Sequence, residues 1–195
     1  MIKNKISLLL LFASVLLFSC KKDKIDTVYV PDYLKQMLPY SDGQIIHFVD
    51  SNGETTEATI IMTSGFQEKS NCPSCPVYIR EEYYKYAFKV GNRQFIQLDV
   101  DVRPNIFMSI FSPLDDFQFG AGFDFMTQDR VAQFICNGPR QTCINSIILN
   151  GKIYTNVLEI ISGAVAADQL TKAYYSTTLG LIGFRYGNGF TYTRQ

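Results

Sequence analysis

Tryptophan is absent from this chain, histidine occurs once, and only 18% of residues are charged. Any histidine-dependent triad would have to use His47, and no Gly-x-Ser-x-Gly nucleophile elbow accompanies it. His47 lies inside the apolar-rich run "QIIHFV" and reads as a structural strand residue. Neither charge sign is in excess, with Lys plus Arg and Asp plus Glu at 18 each, so no strong field gathers nucleic acid or an acidic partner. Internal repeats and low-complexity segments are also missing. What the chain has in quantity is aromatic residues, 15 Phe and 12 Tyr, within a hydrophobic content of 47%. That is enough to bury one core in 195 residues, and it suits a sheet-rich envelope protein better than a helical cytosolic enzyme.

The N-terminus divides into a basic start, Met1 to Lys5, and an apolar run from Ile6 to Phe18. The run is short for a bilayer span and fits the core of a signal peptide. Leu17-Phe18-Ser19-Cys20 then resembles the lipobox of bacterial lipoproteins, in the relaxed form with a bulky residue before Ser-Cys. The resemblance implies that residues 1–19 are removed, that the Cys20 thiol carries diacylglycerol, and that residues 20–30 tether a single domain, 31–195, to the outer membrane. Each buried methylene adds roughly 0.8 kcal/mol, so two or more acyl chains hold a protein on lipid stably. Losing Lys3 and Lys5 makes the mature chain mildly acidic. The tether Lys21-Lys22-Asp23-Lys24 is basic and leaves the membrane face, periplasmic or surface-exposed, open.

Pro31 to Pro39 has Tyr33, Leu34, Met37 and Leu38 at helical spacing and predicts a short helix. Beyond Gly43 the pattern is mainly β: an antiparallel meander forming a sandwich or an open or closed barrel. "DSNG" at 50–53 and Asn150-Gly151 read as hairpin turns. Keeping apolar faces together places Phe88 opposite Ile96, Tyr86 opposite Leu98 and Lys85 opposite Asp99, and implies a three-residue loop at 91–93. By the same logic Gly187-Asn188-Gly189 sets Phe184 opposite Tyr192 and Tyr186 opposite Phe190. The Ala-rich stretch 164–174 is the one further helix the composition suggests.

Two segments, "LPYSDGQIIHFVDSNG" and "YYSTTLGLIGFRYGNGFTY", resemble parts of small β-rich lipoproteins of Bacteroidota-type bacteria whose function is unassigned. The likeness covers about a quarter of the chain. It implies a β fold and membrane anchoring, and it carries no catalytic residues across.

Setting Cys20 aside leaves an even four cysteines, Cys72 and Cys75 in "NCPSCP", and Cys136 and Cys143 in "FICNGPRQTCI". In an oxidising envelope these are disulfide candidates. Cys136 with Cys143 across a Gly-Pro loop is the easy local pairing; cross-pairing between the two loops is the alternative. A redox reading of Cys72-Pro-Ser-Cys75 needs a helix after the motif, and the sequence continues in β-type alternation. A four-cysteine zinc site needs a second close-spaced pair, which the C-x6-C of the other half does not supply. Asp99 and Asp101 share a strand face about 7 Å apart, a separation that overlaps that of inverting glycosidases, though alternate acids also describe an ordinary solvated face. Asp115-Asp116 follows Pro113 in a loop without the oxygen-rich calcium pattern.

No catalytic residue, metal or cofactor is expected on these readings. The leading function is a non-catalytic, lipid-anchored envelope protein whose β domain binds a glycan, a protein or a lipid, or serves structurally. The alternative is a carrier holding an amphiphile in a β-barrel cavity.

Overall fold

A computed structural model describes residues 25–70, 78–102, 105–111, 118–128, 131–138, 140–162, 166–167 and 169–195. Fourteen strands and one helix occur among them: β1 (Asp26–Val28), α1 (Asp32–Gln36), β2 (Ile45–Asp50), β3 (Thr55–Ser70), β4 (Tyr78–Val90), β5 (Arg93–Val100), β6 (Asn105–Phe111), β7 (Gln118–Gln128), β8 (Val131–Phe134), β9 (Asn137–Gly138), β10 (Gln141–Leu149), β11 (Lys152–Ile161), β12 (Leu170–Ser176), β13 (Gly180–Tyr186) and β14 (Thr191–Arg194). The strands run β8-β7-β6-β5-β4-β3-β2-β14-β13-β12-β11-β10-β9 in one curled sheet, a half-barrel whose path is antiparallel throughout. Its two terminal strands, β8 and β9, are consecutive in the chain, so the free ends of the sheet are tied together by Ile135 and Cys136.

The concave face holds the core. Phe48, Ile60, Phe88, Ile96, Leu98, Met108, Tyr175 and Phe184 are fully buried there, with Leu34 of α1 against them. Aromatic edges meet faces through it, as in Phe95 against Phe184 at 5.5 Å and Tyr40 against Phe88 at 5.0 Å. α1 lies in this concavity and is fastened to β4 by Glu82, whose carboxylate accepts from the Val30 N–H at 2.9 Å and the Tyr84 hydroxyl at 2.8 Å and faces the Lys35 ammonium at 3.2 Å.

Local chemistry set the turns. Asn150 and Gly151 both adopt positive φ, +46° and +77°, which a tight two-residue hairpin of the favoured twist requires. Asp50 closes the β2–β3 turn by accepting from the Asn52 and Glu54 N–H groups. The final hairpin has Phe184 opposite Tyr192, Gly189 at φ +91°, and Tyr186 donating its N–H to the Phe190 carbonyl, as the apolar pattern requires.

Three expectations change. The β4–β5 register is the expected one, with Phe88 opposite Ile96 and Lys85 opposite Asp99, but the turn is Gly91-Asn92 alone. A bulge absorbs the odd residue and lets Phe95 and Ile96, neighbours in sequence, both be buried. The suggested helix at 164–174 gives way to strand from Leu170 onward, because Leu170, Ala173 and Tyr175 are needed on the concave face between β11 and β13. Residues 26–30, read as tether, are held: β1 pairs in parallel with β4 at Ile79–Glu81, beyond the point where β5 ends, and Val30 is buried.

The convex face is treated differently in its two halves. β11 pairs with β12 only from Val157 onward, and Asn156 sits at φ +53° just before that point. The strand bends there, and the tip of the β10–β11 hairpin folds across the convex face of β13 and β14. Leu149 packs over Gly183, the Tyr154 hydroxyl donates to the Arg194 carbonyl at 2.6 Å, and Asn150 donates to the Val49 carbonyl at 3.1 Å. A second small core, Leu149, Tyr154, Val157, Tyr174 and Ile182, is sealed beneath this arm.

Candidate functional site

The β10–β11 arm leaves the convex face of β3–β6 uncovered. Alternation dictates what that face carries: Tyr86, Phe88, Leu98, Ile106 and Met108 point into the core, so Tyr83, Lys85, Gln97, Asp99 and Phe107 point out. Register aligns Lys85, Asp99 and Phe107 as direct cross-strand neighbours on β4, β5 and β6. A cleft of about 550 Å³ opens here, lined by Phe66, Gln67, Lys69, Tyr83, Tyr84, Lys85, Asp99, Val100, Asp101 and Phe107. Its size is within the range of small-molecule sites, roughly 300–1,000 Å³.

The polar groups are only partly satisfied by the protein. Gln94 donates to Gln97 at 2.6 Å, and Gln97 donates to Asp99 Oδ2 at 2.7 Å, a chain that orients the carboxylate. Asp99 Oδ1 is buried and accepts no hydrogen bond from any of the described residues. Lys85 stands opposite Asp99 yet forms no ion pair with it; its ammonium instead lies 5.6 Å from the Tyr83 ring centre. Lys69 is bonded to Glu81. The expected Lys85–Asp99 pair is therefore correct in register and absent as a contact.

Two aromatic walls flank these groups. The phenol end of Tyr83 lies over Gly65 of β3, where a Cβ would come within 3.1 Å of the hydroxyl oxygen and 3.3 Å of Cζ. A glycine at that cross-strand position is what lets the ring lie down on the sheet. Phe107 is 43% exposed on the outward face of β6, while its sequence neighbours Ile106 and Met108, on the inward face, are fully buried. Phe66, at the cleft's far end, is braced by Tyr29 at 5.9 Å and the Arg80 guanidinium at 4.5 Å.

Of the residues singled out in the sequence, Asp99 and Asp101 meet in the cleft wall. His47 is half-exposed on β2, with Nδ1 3.5 Å from its cross-strand neighbour Glu57, away from the cleft. Cys136 and Cys143 form a disulfide, which joins the β8–β9 connection to β10 at the place where the sheet's ends converge. Cys20, Cys72, Cys75, Asp115 and Asp116 lie outside the described residues. Among the described residues no three His, Cys, Asp or Glu side chains gather as a metal site would require.

Sequence reasoning missed Gly65, Lys69, Tyr83 and Phe107. The signal for Phe107 was present: in "NIFMSIF" it is an aromatic at a position whose alternates must be buried. The Tyr83–Gly65 contact depends on a cross-strand register between residues eighteen positions apart in sequence, which only the folded sheet supplies. Compared with known proteins, the chain matches no family model, and no curated protein or solved structure is significantly similar to it.

Proposed function

We propose that this chain is a lipid-anchored envelope protein whose β domain binds a ligand, without transforming it, in the convex cleft of β3–β6. The observation that carries the binding role is the cleft itself: orienting amides, a carboxylate oxygen and an ammonium that are not paired with each other or with another charged or donor group among the described residues, and two aromatic walls on the half of the sheet that the arm leaves bare. An unmet buried acceptor costs about 1–3 kcal/mol, and a ligand hydroxyl or ammonium would recover that on a turn of the Asp99 carboxylate that brings Oδ1 to the cleft surface. A cleft lying open on a sheet face does not exclude water from a reacting centre, which favours binding over catalysis. Its polar groups favour it over an amphiphile's carrier, which needs a continuous apolar lining.

Anchoring rests on the Leu17-Phe18-Ser19-Cys20 motif. Six residues lead from Cys20 to Asp26, where β1 begins, so the tether would hold that end of the domain within about 20 Å of the lipid surface. Labelled palmitate should enter the full chain expressed in a bacterial host with a lipoprotein pathway, and Triton X-114 should draw it into the detergent phase. Cys20→Ala should abolish both. Label retained in that variant, or none in the wild type, overturns the anchor.

A further inference from the structure

We infer that the cleft takes a neutral oligosaccharide, an inference that rests on the cleft being the binding site. Lys69 is taken up by Glu81 and Asp101 is engaged as well, which leaves Lys85 against Asp99, one charge of each sign, so neither an anion nor a cation is favoured by charge alone. What these groups share is the capacity to serve hydroxyls, since each sugar hydroxyl donates once and accepts as well. Asp99 Oδ1 needs a donor and Lys85 Nζ needs an acceptor, and the two residues face each other across one strand pair. A vicinal diol meets both requirements, its one hydroxyl donating to the carboxylate and its other accepting from the ammonium.

The rings provide the rest. A sugar's C–H face is weakly positive and apolar, and it stacks on the negative face of an aromatic ring. Tyr83 and Phe107 lie on β4 and β6, on opposite sides of the β5 strand that carries Asp99, so the polar groups are between the aromatic surfaces. Adjacent strands are about 4.8 Å apart and Tyr83 is two residues, about 7 Å, along β4 from the row of Phe107, which puts the two aromatic positions about 12 Å apart on the sheet. That separation is more than one sugar ring or two consecutive units span, and it suits the first and third units of an extended trisaccharide. A Cβ at Gly65 would press on the Tyr83 ring at 3.1–3.4 Å and oblige it to shift by a few tenths of an ångström.

The test is calorimetric titration of the detergent-solubilised full chain with neutral trisaccharides of glucose, xylose, mannose and galactose, beside sulfated trisaccharides and tri-lysine. At least one neutral trisaccharide should bind. Phe107→Ala and Asp99→Asn should each weaken it about tenfold or more, and Gly65→Ala should weaken it severalfold by displacing Tyr83 while removing no contacting group. Ile148→Ser, on the arm, should bind as wild type, and circular dichroism should show all variants folded. If only sulfated sugars or tri-lysine bind, and Asp99→Asn abolishes that, the neutral-sugar inference falls while the cleft stands. If a neutral sugar binds but the cleft variants leave its affinity unchanged, or if nothing binds, both fall.

Discussion

Gly180 shows how little freedom single residues have where α1's exit meets the barrel. Its φ of +73° is a left-handed conformation, and a Cβ there would lie 2.0 Å from the Tyr40 hydroxyl oxygen. That hydroxyl accepts the Leu181 N–H at 2.5 Å, inside the core. Gly180→Ala is expected to cost more than about 2 kcal/mol, from backbone strain and overpacking together, read as a lowered urea midpoint at unchanged m-value. Burial raises the Tyr40 and Tyr175 pKa values above the ordinary tyrosine value; for Tyr40 the Leu181 hydrogen bond and Arg194 offset this only in part. Their contribution to stability is whole below about pH 10 and is lost as pH rises toward the folded values. Absorbance at 295 nm should therefore show these tyrosines ionising together with unfolding, above the titration of exposed ones. Glu82 works in the other direction. Burial opposes its charge, but hydrogen bonds from Tyr84, the Val30 N–H and Lys35 hold its pKa below the ordinary glutamate value. Its contribution is whole above about pH 4.3 and fades as pH falls through the lower folded value. Denaturation in acid should thus lose stability more steeply for the wild type than for Glu82→Gln.

At the scale of elements, the β10–β11 arm and the disulfide decide which parts of the sheet are closed. The arm's bend is at Asn156, a residue type that enters the left-handed region at small cost. Asn156→Val should destabilise by about 1–2 kcal/mol and increase hydrogen exchange at Ile182 and Tyr174, which the arm covers, whereas Asn156→Gly should be nearly silent. Removing the disulfide with Cys136→Ser and Cys143→Ser should cost about 2–3 kcal/mol for so short a loop. The effect should appear as faster exchange in β8–β10, where the ends of the sheet meet. Both hairpin turns at Asn150-Gly151 and Gly187-Asn188-Gly189 were legible in the sequence because turn chemistry is local. The β4–β5 bulge was not, since nothing near Gly91 reveals that Phe95 and Ile96 are both wanted in the core. Residues 170–174 misled for a related reason: alanine-rich composition favours helix by tenths of a kcal/mol per residue, and burial of Leu170, Ala173 and Tyr175 outweighs that.

In the whole molecule, one concave core and α1 stabilise each other. Leu34, fully buried, is the point where α1 is inserted. Leu34→Ala should cost about 2–5 kcal/mol and lower the melting temperature by several degrees or more in a domain of this size. The sequence by itself determined the β class, the faces of the paired strands, the position of α1 and the turn residues, because side-chain alternation and turn conformations are properties of neighbouring positions. It also marked Asp99 and Asp101, but only as one solvated stripe. Which half of the convex face the arm would cover, and so which stripe became a cleft, was decided by the tertiary structure. The bend at Asn156, the glycine beneath Tyr83 and the alignment of Lys85, Asp99 and Phe107 join residues far apart in the chain, and their meeting depends on how far the whole sheet curls.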